Sequence, residues 1–369
     1  MLDTKLLKGE EIAIYKLRSL YGKYGYLPYK MSKFEEYDLY VKNKDFLISD
    51  SVITFNDTHG KLLALKPDVT LSIIKNGVDE KGVKQKVYYN ENVYRISGST
   101  REFKEIMQTG LECIGDLDNS DVFEVLHLAL MSLNTISSDF ILDISHLGIL
   151  SAVLDSVSNN SDFRAEIMAL IKQKNAHEIA DICTKYEIGN EKCELLKELV
   201  FLYGEPMTII NILKSKCISK DYEVAVSELE EICKLLAGTE FSDKIRLDFS
   251  IVNDMNYYNG IVFNGFLNGI FECILFGGRY DKLLKRMGRK SGAIGFALYL
   301  DLLEGIEKEQ KGYDVDVLLL YSDATDAQRV SQSVQELVNQ GKSVSAQKAI
   351  PEKLRYKELI DISGGGAND

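Results

Sequence analysis

The sequence predicts an α+β fold: an antiparallel sheet flanked by helices, with a helical insertion and a small C-terminal α/β unit. Three observations carry this. Val- and Tyr-rich segments separated by Gly and polar turns occur before residue 146 and again after 240. Between them, Glu, Lys, Leu, Ile and Ala recur with helical period. After a polar stretch, Lys308 to Gly312, the chain reads as strand, helix, strand. The expected domains are therefore 1–146 with 241–308 as the core, 147–240 as the insertion and 312–369 as the tail.

In chain order, Ile14, Leu17, Tyr21 and Tyr24 give a helix over 10–24, stopped by Gly25. Ser51 to Phe55 and Lys61 to Leu65 flank a polar turn with Gly60, a hairpin pattern. Asp68 to Asn76 follows Pro67 and reads as a helix start. Residues 86–96 and about 107–114 form a second hairpin with Ser97 to Thr100 at its tip, and 119–135 is helical. In the insertion, Tyr222, Ala225, Val226, Leu229, Ile232, Cys233 and Leu236 make one apolar face, closed by Gly238. Strands are expected at Lys244 to Val252, Gly260 to Phe266 and Ile270 to Phe276, with Gly277 and Gly278 ending the meander. A helix is expected from Phe296 to Glu307. In the tail, Val317 to Tyr321 reads as a buried parallel strand. Thr325 and Gln328 have capping-box spacing before a helix that Gly341 ends, and Val344 opens another strand.

Composition narrows the function. The 369 residues are 45% hydrophobic, enough for a buried core. Acidic residues outnumber basic ones, 56 to 44, so general nucleic-acid binding is disfavoured. No apolar run has the length of a membrane span, and Met1 to Glu10 holds no signal-peptide stretch. The six cysteines include no CxxC pair, and the four histidines no HxxxH. A cytoplasmic chain with reduced thiols, no metal and no cofactor is expected. Cys113 and Cys273 read as packing residues, His59 as a turn residue and His146 as a helix-start residue.

The order of several short motifs says more. Gly25-Tyr26 followed by Phe34-Glu-Glu-Tyr-Asp-Leu39 resembles motif 1 of a class II aminoacyl-tRNA synthetase of the histidyl type. Leu65 to Thr70 resembles the amino-acid-binding loop of that family. Tyr88 to Arg95, then Arg101 to Gly110 and Glu112, resembles motif 2. Asn256 to Phe263 resembles the histidine-specific signature, and Phe276-Gly-Gly-Arg-Tyr-Asp281 with Gly295 to Leu300 resembles motif 3. The resemblance spans roughly residues 8–305 and implies the class II fold.

Residue by residue, the resemblance separates two functions. Adenylation needs fixed cations around the ATP phosphates. Of the family's three arginines, only the motif 2 one is matched, by Arg95. The histidine-specific arginine falls on Asn253 and the motif 3 arginine on Leu302; the motif 2 acidic position holds Ser97. Removing one such donor typically costs about 3 kcal/mol of barrier. The amino-acid pocket is kept: Asp68, Thr70, Gln108, Glu112, Tyr257 and Tyr258 match it. The tail is also shorter than the family's anticodon-binding domain. This pattern resembles the regulatory subunits of ATP phosphoribosyltransferase. That resemblance implies a non-catalytic subunit paired with a short-form catalytic subunit, for the first step of histidine biosynthesis. It also implies a homodimer core built by Gly25 to Leu39, where Ser32 replaces the usual proline, with L-histidine as a candidate ligand and no tRNA. The alternative is a divergent histidyl-tRNA synthetase.

Plainer readings stand beside these. Arg95 can pair with Glu91 or Asp68 in an emptied cleft. Glu112 can be half-buried against Arg95. Asp68 suits a first helical turn, and Thr70 and Gln108 have similar structural explanations. Tyr257 and Tyr258 can be sheet aromatics facing opposite sides.

Overall fold

The computed structural model describes residues 8–43, 52–77, 79–96, 101–252, 257–303 and 312–364. The chain divides into two compact units, Met1–Glu304 and Gly305–Asp369.

The larger unit opens with helix α1 (Gly9–Lys23), which buries Ala13, Leu17 and Tyr21. Gly25, at φ 81°, turns the chain out of it. Strand β1 (Leu27–Pro28) runs parallel to the start of a later strand. Strands β2 (Phe34–Glu36), β3 (Thr54–Asn56) and β4 (Leu62–Leu65) form a small antiparallel sheet, with α2 (Tyr37–Lys42) between the first two. Gly60 takes φ 81° in the β3–β4 turn, as its sequence suggests. Helix α3 (Thr70–Asn76) follows.

Nine strands make the main sheet. Strands β5 (Gln85–Ile96) and β6 (Phe103–Gly115) are its long hairpin. Helix α4 (Asn119–Ile136), capped by Asp118, leads to β7 (Phe140–His146) and α5 (Leu147–Val157). Then come α6 (Ser161–Lys172), α7 (Ile179–Lys185), α8 (Asn190–Phe201), β8 (Tyr203–Gly204), α9 (Pro206–Lys214) and α10 (Lys220–Ala237). The chain returns as β9 (Ile245–Asp248), β10 (Ile261–Leu267), β11 (Leu275–Arg279), α11 (Asp281–Arg286) and β12 (Gly292–Tyr299). The strand order is β1-β5-β6-β12-β11-β10-β7-β9-β8. Its centre is antiparallel, while β1–β5 and β7–β9 are parallel pairs.

The two faces of the sheet differ. On one, α1 and α4 cover an apolar layer; Tyr21 packs its ring against Tyr88 and Phe296. The expected face of α10 is buried residue for residue. The opposite face carries the polar side chains, because Gln108 and Glu112 each lie two residues along β6 from Gly110, on either side of it, at period two. There α3 and α11 supply a second small core with Leu71, Ile73, Ile74, Leu283 and Leu284.

The structure corrects several expectations. Phe296 starts no helix: 292–299 is strand β12, followed by a short 3-10 turn, Asp301–Leu303; residues 304–307 lie outside the described residues. Its residues, Gly-Ala-Ile-Gly-Phe-Ala-Leu-Tyr, include no charged or amide side chain, so the sequence shows none of the polar alternation that marks a half-exposed strand. Gly277 and Gly278 do not end the meander but sit inside β11, where a Cβ on Gly278 would stand 2.7 Å from Tyr258 Cδ1. The strand expected from Ile270 begins only at Leu275. The one expected to reach Val252 stops at Asp248, whose carboxylate accepts the Ser250 N–H and turns the chain. Gly238 keeps φ −80°, so α10 ends without a left-handed cap.

The smaller unit has β13 (Val315–Leu320), α12 (Ala327–Asn339), β14 (Val344–Gln347) and β15 (Tyr356–Asp361). All three strands are parallel, in the order β14-β13-β15. The helix is capped by Asp326, which accepts the Arg329 N–H; Thr325, the expected cap, instead bonds Ser322.

Candidate ligand-binding site

Glu112 is the centre of the site. It lies on β6, 2% exposed, and is held on both oxygens. Thr70 Oγ1 donates to Oε1 at 2.8 Å, and the Tyr280 hydroxyl donates to Oε2 at 2.5 Å. Burial lifts its carboxyl to about 7 against the pull of those two donors, and nearby Asp68 adds to the rise. Glu112 is thus fully buried and held by Thr70 and Tyr280, not half-buried against Arg95.

The loop before α3 delivers three groups. Thr70 opens the helix. Asp68, buried, accepts the Leu71 N–H at 3.1 Å; burial raises its carboxyl, while that N–H and Arg95 lower it. Pro67 offers its carbonyl to Arg95 Nε at 2.9 Å. Arg95 Nη1 donates to the Tyr299 hydroxyl at 3.1 Å, and the guanidinium lies 5.6 Å from that ring's centroid. Arg95 therefore forms no direct ion pair with Glu91 or Asp68: Glu91 is taken by the buried Lys66 at 2.5 Å.

Gln108 is 2% exposed and faces Tyr299 across the β6–β12 ladder. Its Nε2 and Arg95 Nη2 are both buried without a hydrogen-bond partner among the described residues. Tyr257 and Tyr258 are not on a strand. They precede β10 with ring centroids 4.5 Å apart, and Tyr257 also lies 5.6 Å from Tyr280. The Tyr257 hydroxyl hydrogen-bonds with Thr70. All seven predicted site residues thus meet on one face of the sheet. Sequence reasoning missed Tyr280, although the Gly-Gly-Arg-Tyr-Asp segment that contains it stood out; it also missed Tyr299 and Lys66.

The donor set defines what the site can do. Two unpartnered donors suit a carboxylate, and the Glu112 and Asp68 oxygens suit N–H groups. A triphosphate would meet far less. Leu302, on the turn after β12, carries no charge, and the Asn253 and Ser97 positions lie outside the described residues. Among the described residues no cluster of His, Cys, Asp or Glu suits a metal, and no helix is long and apolar enough to cross a membrane.

Fold and site together define a class II synthetase-type core. Residues 6–303 match the family model described as histidyl-tRNA synthetase. The ATP phosphoribosyltransferase regulatory subunit of Alkaliphilus metalliredigens is 30% identical over 294 residues, which cover 78% of this chain and 74% of that protein. A solved structure from Bacillus halodurans, described as an ATP phosphoribosyltransferase regulatory subunit/histidyl-tRNA synthetase, superposes with a TM-score of 0.77 at 23% identity. It covers 99% of this chain and 97% of that one. An ATP phosphoribosyl transferase complex from Thermotoga maritima contains a chain with a TM-score of 0.63 at 19% identity, covering 79% of this chain and 97% of that one. The chain belongs to the ATP phosphoribosyltransferase regulatory subunits, within the histidyl-tRNA synthetase family.

Proposed function

We propose that this chain is the non-catalytic subunit of a two-component ATP phosphoribosyltransferase, and that its pocket binds L-histidine. The observation that carries the ligand reading is the pair of orphaned donors, Gln108 Nε2 and Arg95 Nη2, on the same face of the sheet as the buried Glu112. An unpaired buried donor is costly, and a ligand carboxylate satisfies both. Asp68 takes the ammonium. Glu112, with Tyr257 or Tyr258, takes the imidazole nitrogens, and Thr70 accepts from the ligand while donating to Glu112. Binding that differs between two states of the assembly gives end-product control.

The partner is a short-form catalytic subunit, a reading supported by the named relatives and by the complex from Thermotoga maritima. The subunit forms a homodimer through Gly25 to Leu39 and uses no tRNA. Tyr26 is buried within its own chain, so the contact rests on the exposed Leu27 and Phe34. A stable monomer in sedimentation at micromolar concentration overturns the dimer.

Calorimetry with histidine, on the chain and on the assembled complex, tests the pocket. Saturable binding that Glu112→Ala weakens at least about tenfold, or about 1.4 kcal/mol, is expected. No binding in either form makes the pocket a relic. Histidine-dependent ATP–pyrophosphate exchange by the purified chain would restore the synthetase reading.

A further inference from the structure

A hollow of about 480 Å³ opens at the β5 edge of the main sheet, and none of the seven pocket residues lines it. Its floor is an unpaired stretch of strand. The Tyr29 N–H donates to the Tyr88 carbonyl at 2.7 Å and the Tyr94 N–H to the Lys66 carbonyl at 2.9 Å, both on the side of β5 away from β6. Asn90 and Asn92 lie between them at period two, so their backbone N–H and C=O groups point the same way. Among the described residues those groups have no backbone partner.

Four cations surround that edge: Arg18 from α1, Lys30 and Lys33 from the turn between β1 and β2, and the buried Lys66. Lys66 is paired with Glu91 at 2.5 Å, and Glu91 is the one carboxylate in the lining. Arg18, Lys30 and Lys33 are exposed, and their side chains have no partner among the described residues. Four cations against one carboxylate leave the lining at +3, in a chain whose net charge is −12. Two other hollows lean the opposite way. One sets Lys84 and Lys86 against Asp121, Glu124 and Glu240; the other sets Lys192 and Lys216 against Glu191, Glu194 and Glu198. The walls of the basic hollow are fixed in advance. The Lys66 N–H donates to the Lys33 carbonyl at 3.2 Å, so one residue ties the turn to β5. The Tyr29 hydroxyl donates to the Ser72 carbonyl at 3.1 Å, and Asn90 Oδ1 accepts from Thr109 Oγ1 at 2.8 Å.

We propose that this hollow is a second ligand site, which binds the phosphate chain of a small di- or triphosphate. Arg18, Lys30 and Lys33 supply charge-assisted donors to the phosphate oxygens, and the outward N–H groups of Asn90 and Asn92 add two fixed ones. The outward carbonyls of the same two residues accept from hydroxyls of whatever the phosphates are esterified to. A chain of phosphates gathers several negative charges in one place, which suits a lining of this charge better than a single phosphate does. The volume lies in the range of small-molecule sites. The rim from Pro28 to Lys33 also belongs to the segment proposed for the homodimer, so the bound phosphates lie at the border of that contact.

Calorimetry with inorganic triphosphate on the full chain, at physiological ionic strength, tests this. Saturable binding is expected, weakened at least about tenfold by Lys30→Glu combined with Lys33→Glu. Arg18→Glu should act in the same direction. Both lysines are exposed and unpaired, so the double variant should keep the wild-type melting midpoint. ATP in place of inorganic triphosphate separates the sources. Equal affinities mean that the phosphates alone are read; ATP bound at least about tenfold tighter, and weakened by the same substitutions, means a nucleotide. Either result supports the site. No saturable binding overturns it, as does binding that the two substitutions leave untouched. A chain that sediments as a dimer and takes up no triphosphate overturns it too, with the hollow then covered by the second copy.

Discussion

Gly295 lies directly across the β6–β12 ladder from Glu112, and a Cβ on Gly295 would collide with Glu112 Oε2. The glycine is the space in which the carboxyl sits. Gly295→Ala must therefore push Glu112 away from Tyr280 and Thr70. A destabilisation of about 2 kcal/mol is expected, as for other overpacked cores, together with lost histidine binding. Urea unfolding and calorimetry on the same variant measure both.

Two buried carboxyls make stability depend on pH. Glu112 and Asp143 are each raised to about 7, chiefly by burial. In the folded chain each keeps a proton that the unfolded chain releases near pH 4. Their contribution is present in full below that pH and lost as pH rises through 7. Stability should fall across this window, and Glu112→Gln should flatten the fall. Midpoints of urea unfolding between pH 5 and 8 show it.

Gln108 spends an unpartnered amide donor in the core. Gln108→Leu removes that buried polar group, so the empty protein should keep its stability or gain slightly. Histidine affinity should still drop at least about tenfold. Thermal melts with and without histidine separate the two effects: the unliganded midpoint holds while the ligand-induced shift shrinks.

Lys66 is 0% exposed and has Glu91 as its ion-pair partner. Lys66→Met strands the carboxylate and should cost about 3–5 kcal/mol, whereas Lys66→Met with Glu91→Leu should recover most of the loss. A double-mutant cycle of unfolding free energies gives the coupling.

Much of this was legible in the sequence. The hairpins, α4 and the buried face of α10 follow from turn glycines and from periods of two and three to four. The seven pocket residues could be named because their order along the chain resembles a known family. What stayed hidden depends on long-range packing. Strand β12 is buried on both faces, so Phe296, Leu300 and Leu303 look helical in spacing although most of the segment is extended. Gly277 and Gly278 look like a turn, but they sit in a strand beneath Phe263 and Tyr258. Tyr280 and Glu112 are 168 residues apart, and nothing local couples them. Asp143 sits in a run that reads as an ordinary buried strand, and nothing local shows that Asp248 comes to lie near it.

Strands β7 and β9 are parallel neighbours, with Leu142 opposite Ile245. Parallel neighbours cannot be joined by a tight turn; the chain must cross back over the sheet. α5 leaves β7 directly, and α10, packed on α4 and α5, leads back to β9. Those two helices alone supply the obligatory return. The α6 to α9 segment is thus a detour within a crossing already made. The segment still returns β8 to the edge of the sheet, where Gly204 pairs with Leu247, so its helices can lengthen or shorten only between those fixed ends.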